Sequence, residues 1–284
     1  MGLRKGLLSL LSLAILPGSL AACLPTPEEP IEWVQREDAI IVQMKQVGGL
    51  PQPALMDRLT VPDFTLYGDG TLIFIRPEDR AQFPAGGPRL HQAKLPEEAT
   101  GDLLEAIVDE GFLEFPYEQP RPGSRYDFPT TYLYVHTKTE ANATSAYALD
   151  VPPPEDAGDE WKDFRRLGKI KRRLDELDPA AVGGRVLGSY KAQEILLMVE
   201  LLALTEEPVQ PPTWPVADVD LAALAPPSSG VVQKRFSVAE ASELMAALPA
   251  GSYSLYRQGD RLFAAGYRPV LPHEENFPEF EGTQ

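Results

Sequence analysis

The chain of 284 residues sets 42 Asp and Glu against 26 Lys and Arg, a formal net charge of −16, with 43% apolar residues and one cysteine. The apolar share is ordinary for a globular protein and excludes wholesale disorder. The acidic surplus opposes nucleic-acid binding, which rests on cationic neutralisation of phosphates, and a single thiol excludes an intrachain disulfide.

Arg4 and Lys5 open the chain, an apolar run covers residues 6–16, and Pro17-Gly18-Ser19 precedes Leu20-Ala21-Ala22-Cys23. These are the parts of a secretory signal. A membrane span needs roughly 20 consecutive apolar residues; this run is interrupted by Ser9, Ser12 and Pro17-Gly18, so it is too short to span. Ordinary cleavage after Ser19-Leu20-Ala21 would release an exported chain with a lone thiol near its new terminus, an odd cysteine that asks for an explanation. Leu20-Ala21-Ala22-Cys23 resembles the lipobox of bacterial lipoproteins. The resemblance implies removal of residues 1–22 and a diacylglyceryl group on the Cys23 sulfur, and loss of Arg4 and Lys5 would take the net charge from −16 to −18. Two or more acyl chains hold a protein stably on a bilayer, so Cys23 would be the whole anchor. Leu24 follows it, in place of the aspartate that retains some lipoproteins of two-membrane bacteria on the inner membrane.

Leu24-Pro25-Thr26-Pro27-Glu28-Glu29-Pro30 reads as a polyproline-like tether, at about 3.1 Å per residue on the order of 20 Å long. A strand is expected over residues 40–47. A hairpin follows in Phe64-Thr65-Leu66-Tyr67 and Thr71-Leu72-Ile73-Phe74-Ile75 around Gly68-Asp69-Gly70. Asp69 lacks the alternating carboxylates of a calcium loop and reads as a turn residue. Pro96-Glu97-Glu98 opens a helix with apolar Leu103, Leu104, Ile107 and Val108 and a stop at Gly111. Strands are expected over 130–139 and 144–150, joined by residues 140–143.

A second helix is expected over 156–177, with Trp161, Phe164, Leu167, Ile170 and Leu174 as its apolar stripe. Residues 195–202 read as a buried strand and the proline-rich stretch 205–230 as an irregular connection. A helix over 237–248 starts at Ser237 with Glu240 completing a capping box. A last hairpin turns through Gln258-Gly259-Asp260. The expected class is α+β: antiparallel hairpins packed with a few helices. The division is 1–22 signal, 23–34 lipidated Cys23 and tether, 35–180 an α+β domain, 181–275 a second α+β subdomain and 276–284 an acidic tail.

His91, His136 and His273 stand far apart, no zinc motif occurs, and neither a G-x-S-x-G elbow nor a phosphate-binding Gly-Lys-Ser/Thr loop is present. No catalytic, metal or cofactor residue is nominated. Two surfaces are candidates for binding. The helix around Trp161 carries a basic island that includes Arg165, Lys169 and Arg172, suited to anionic headgroups or cell-wall polymers, against the plainer reading of a solvated face balanced by neighbouring acids. Tyr117, Tyr126 and Phe128 sit in a proline-rich stretch that would form a groove for a peptide or glycan, or simply pin a loop to a core.

From residue 40 to 273 the order of motifs, including Asp127-Phe128-Pro129-Thr130-Thr131 and Arg268-Pro269-Val270-Leu271-Pro272, resembles uncharacterised exported bacterial lipoproteins. The resemblance implies no activity. The first expectation is therefore a membrane-anchored, non-enzymatic envelope lipoprotein that binds a protein, peptide or polymer. The alternative is an exported hydrolase acting on envelope glycan or peptide through carboxylates. A solute-binding lipoprotein of a transporter fits less well, because alternating βα units are missing.

Overall fold

The computed structural model describes residues 30–49, 54–80, 89–123, 126–154, 157–203, 211–227, 230–278 and 280; Cys23, the lipobox and residues 24–29 of the tether lie outside them. Residues Ile31–Gln284 form one compact unit. The fold is α+β, built on two antiparallel sheets.

The first sheet has seven strands: β1 Ile40–Gly48, β2 Phe64–Tyr67, β3 Thr71–Ile75, β4 Leu90–Lys94, β5 Pro129–His136, β6 Ala141–Tyr147 and β7 Arg185–Ser189, in the order β6-β5-β1-β2-β3-β4-β7. A short helix, α2 (Pro77–Arg80), follows β3 in the chain. Strand alternation sorts the side chains of the sheet. Val42, Met44, Leu66, Leu72, Ala93, Leu133 and Val135 face α3 (Glu97–Asp109) and α4 (Lys162–Asp175). Ile40, Tyr67, Ile73, Ile75 and Leu90 face the other way, under Leu271 and Phe277 of the segment that follows the last strand.

The second sheet, β8 Glu194–Leu202, β9 Val231–Ser237, β10 Tyr253–Gln258 and β11 Arg261–Pro269, has the order β10-β11-β8-β9. One face packs on α1 (Ala54–Leu59) through Leu55, Leu59, Leu196, Met198 and Ala264. The other buries Leu197, Phe263 and Tyr267 with Trp214, Leu221 and Leu244, the last two from the short helices α5 (Leu221–Leu224) and α6 (Ser242–Ala247).

Segment 270–277 is latched to the first sheet. Tyr67 Oη donates to Pro272 O (2.6 Å), Tyr190 Oη to Val270 O (2.8 Å), and the Arg268 guanidinium grips the Glu274 carboxylate. Burial, seconded by Glu274, pushes the Tyr190 phenol up to about 12, which keeps it a donor. In the same sheet the Gln43 amide nitrogen and the Thr65 hydroxyl are buried with no hydrogen-bond partner among the described residues.

Several expected elements shift. The β5–β6 turn falls at Thr137–Glu140, where the Thr137 hydroxyl donates to Glu140 O and accepts from Glu140 N, so Ala141, Asn142 and Ala143 are strand rather than turn. The second helix begins at Lys162, after a 3-10 turn over Asp159–Trp161, and ends at Asp175. The Ser237–Glu240 capping bonds form, yet regular α6 starts only at Ser242, because Ser237 also closes β9. At the β2–β3 turn Gly70 takes a φ of 84°, as the sequence requires, and Asp69 accepts from Thr71 N, the Thr71 hydroxyl and Lys94 Nζ.

Candidate functional site

The basic island lies on α4. Trp161 and the helix's Phe164, Leu167, Ile170 and Leu174 are buried against the first sheet and α3. Each such side chain contributes roughly 1.5–3 kcal/mol relative to exposure, which fixes the rotation of the helix. The opposite face must then display the rest. The helix holds seven basic and two acidic residues, a local surplus of five positive charges in a chain of net charge −16.

Lys171 is the exception among these cations. It sits one position past Ile170 on the buried arc, its side chain 7% exposed, and its ammonium donates to Asp150 (2.8 Å) and Asp175 (2.7 Å). Burial alone would lower its pKa, but the bonds to the two carboxylates outweigh that and raise it. Lys171 is thus neutralised from within, and its two carboxylates leave the group with one negative charge in excess. Arg165, Lys169 and Arg172 remain outward as a ridge.

Beside this ridge runs a cleft of about 530 Å³, walled by residues 149–153 and by α4, with Leu149 and Phe164 in its lining and Arg165, Lys169 and Arg172 along it. Gly168 also lines it, and a Cβ there would meet only the Leu149 methyl at 4.0 Å, so the missing side chain is open space in the cleft. Arg165 donates weakly to Ala157 O and Gly158 O (3.4 and 3.3 Å), and Lys169 reaches the Glu110 carboxylate at 3.3 Å. Arg172 and Arg173 have no carboxylate in ion-pair range among the described residues. Both occupy the last turn of α4, where cations suit the helix dipole.

The aromatic candidates do not gather at this site. Tyr117 is half-buried and its carbonyl accepts from Ser145 N (2.6 Å), so its segment covers the outer edge of β6. Tyr126 is 78% exposed, while Phe128 sits at the rim with its N–H donating to the Tyr147 hydroxyl at 3.1 Å. None of the three lines the α4 clefts.

Two features went unread in the sequence. Asp150 belongs to the cleft wall, and Lys171, which the sequence counts in the basic island, is buried beside it instead, since residues 167, 170, 171 and 174 share one helical arc. His91 is buried with its Nε2 2.6 Å from the Asp79 carboxylate, and no local pattern announces that pairing across 12 residues. Among the described residues no group of His, Cys, Asp and Glu is arranged to hold a metal, and no helix is long and apolar enough to cross a membrane. Compared with models of known families, with curated proteins and with solved structures, the chain has no match.

Proposed function

We propose that the protein is a membrane-anchored, extracytoplasmic lipoprotein, held through lipid on Cys23, whose folded part is a non-enzymatic module that binds an anionic component of the cell envelope along α4. The observation that carries the binding site is the division of charge on that helix: Lys171 is neutralised from within by Asp150 and Asp175, leaving Arg165, Lys169 and Arg172 on one ridge beside an open cleft. Arg166 and Lys169 reach Asp163 and Glu110 at 3.8 and 3.3 Å, exposed pairs of little worth. Here Arg172 and Arg173 stay unpaired among the described residues while acids are in excess overall.

The carboxylate-hydrolase reading is weaker on this geometry. Asp150 and Asp175 are the carboxylates that the cleft brings together, but both accept from the same ammonium. Glycoside cleavage needs one of the pair to hold a proton for the leaving group, and a carboxylate bonded to a cation serves as an acceptor instead.

The test uses inorganic polyphosphate as a soluble anionic probe. The triple variant Arg165→Glu/Lys169→Glu/Arg172→Glu should weaken affinity by at least about tenfold, since every cation that no longer meets a phosphate removes part of a salt-dependent attraction. Binding that is unchanged by the triple substitution would remove α4 as the site.

A further inference from the structure

Six large apolar side chains are exposed among the described residues, and three of them, Val182, Val186 and Leu187, fall within six consecutive positions. Scattered apolar residues on a surface need no explanation, whereas a cluster does. Val182 lines two grooves of about 470 and 480 Å³ that share Arg173 and Leu177, and the first of them is also lined by Lys169 and Arg172. Val186 pairs with Ala93 in register and so projects on the helix side of the sheet, while Leu187 sits in the bulge between the Ala93 and Gln92 pairs. It belongs to β7, which ends the first sheet with no described strand on its outer side. Val182 thus adjoins Arg172 and Arg173, and Val186 and Leu187 follow it in the chain on the edge strand.

We infer that the anionic partner of α4 is a bilayer, with Val182, Val186 and Leu187 entering the headgroup region and Arg172 and Arg173 meeting anionic headgroups. The inference rests on the reading of Cys23 as an anchor. A soluble polyanion would use the cations and leave the apolar cluster in water; a bilayer uses both. Glu176 and Asp178 border the first groove and Glu98 and Asp102 the second, four carboxylates beside Lys169, Arg172 and Arg173; Asp178 is engaged in capping Ala180 N (3.0 Å). They weaken the attraction, so docking would depend on the high effective concentration that a tether supplies. The tether length suits this. A polyproline-like stretch over residues 24–30 would reach on the order of 20 Å, and the described chain enters the fold near Trp33, whose ring lies on Gly101 of α3, the helix that supplies Ala99 and Leu103 to the second groove. The strongly acidic remainder of the protein is repelled by the same lipids, so this face alone would turn toward them.

The experiment uses the compact unit Ile31–Gln284, which contains all four apolar clusters and no cysteine. It is tethered by an N-terminal histidine tag to phosphatidylcholine vesicles bearing nickel-chelating lipid, with or without phosphatidylglycerol. Leu187→Cys carries an environment-sensitive fluorophore, and Gln233→Cys, exposed on β9, carries it as the control. The Leu187 label should shift to the blue on phosphatidylglycerol vesicles only, the Gln233 label should not shift, and Arg172→Glu/Arg173→Glu should abolish the shift. A Leu187 label that stays in water, or equal shifts at both positions, would overturn the inference. So would a shift without vesicles that grows with protein concentration, which would assign the face to a second copy of the chain. Loss of polyphosphate binding in the α4 triple variant together with an unshifted Leu187 label would leave the proposed binding role standing while removing the bilayer as its partner. The artificial tether keeps this result separate from whether Cys23 is lipidated.

Discussion

Lys171 and Lys45 are lysines of opposite fate. Two carboxylates hold the Lys171 ammonium charged, whereas Lys45, on β1 beneath the latched segment, donates to the Asp57 carbonyl at 3.2 Å, and burial with help from the nearby Arg268 lowers its pKa to about 8. The two couple to stability with opposite signs. Because Lys171 is raised above its ordinary 10.5, its contribution is complete below that pH and fades only above it. Lys45 sheds its proton in the folded state near pH 8 while the unfolded chain keeps one to about 10.5, so stability rises with pH across that interval. Above pH 10 the buried phenols of Tyr67 and Tyr190, raised by burial first, reverse the trend because the unfolded chain loses those protons earlier. Urea unfolding should therefore show a net gain of about 1 kcal/mol between pH 8 and pH 9.5, before the phenols cancel it. Lys45→Met should lose that rise and unfold no more easily than the native chain at pH 7; a flat native curve would show Lys45 to be solvated.

At the scale of elements, α4 contains one residue that works against helix formation. Gly168 costs on the order of 1 kcal/mol relative to alanine inside a helix, and the space its side chain would fill is part of the cleft. Gly168→Ala should raise stability by about 0.5–1 kcal/mol in denaturant titration and weaken polyphosphate binding; a stabilised variant with unchanged binding would place the ligand on the ridge, outside the cleft. The ridge was legible in the sequence because helical spacing leaves only one face for Arg165, Lys169 and Arg172 once Phe164, Leu167 and Leu174 are inward. Its opposite wall was not. Residues 149–153 reach α4 through long-range packing, and Asp150 follows a strand with no local sign of a distant lysine. The hairpins β2–β3 and β10–β11 were legible from alternation around glycine turns. Strand β4, Leu-His-Gln-Ala-Lys, and β7, Arg-Val-Leu-Gly-Ser, carry weak strand propensity, and only pairing with neighbours makes them strands. Tyr117, Tyr126 and Phe128 looked alike as loop aromatics, but one segment covers a sheet edge while Tyr126 stands in water.

For the whole molecule, two sheets and their helices place the cationic helix on an outer layer of an otherwise acidic body, and the apolar cluster lies at the open edge of the first sheet. On the proposed reading both features act at an anionic surface, near which lipid on Cys23 would keep the body. The direct measurement is intact mass analysis of the protein purified from membranes of bacterial cells expressing the full chain, with fractionation of Cys23→Ser beside it. The expected product is a chain that begins at Cys23 and carries a diacylglyceryl group, and a Cys23→Ser variant that is no longer processed to that form. A membrane-purified chain with an unmodified Cys23 thiol would contradict it.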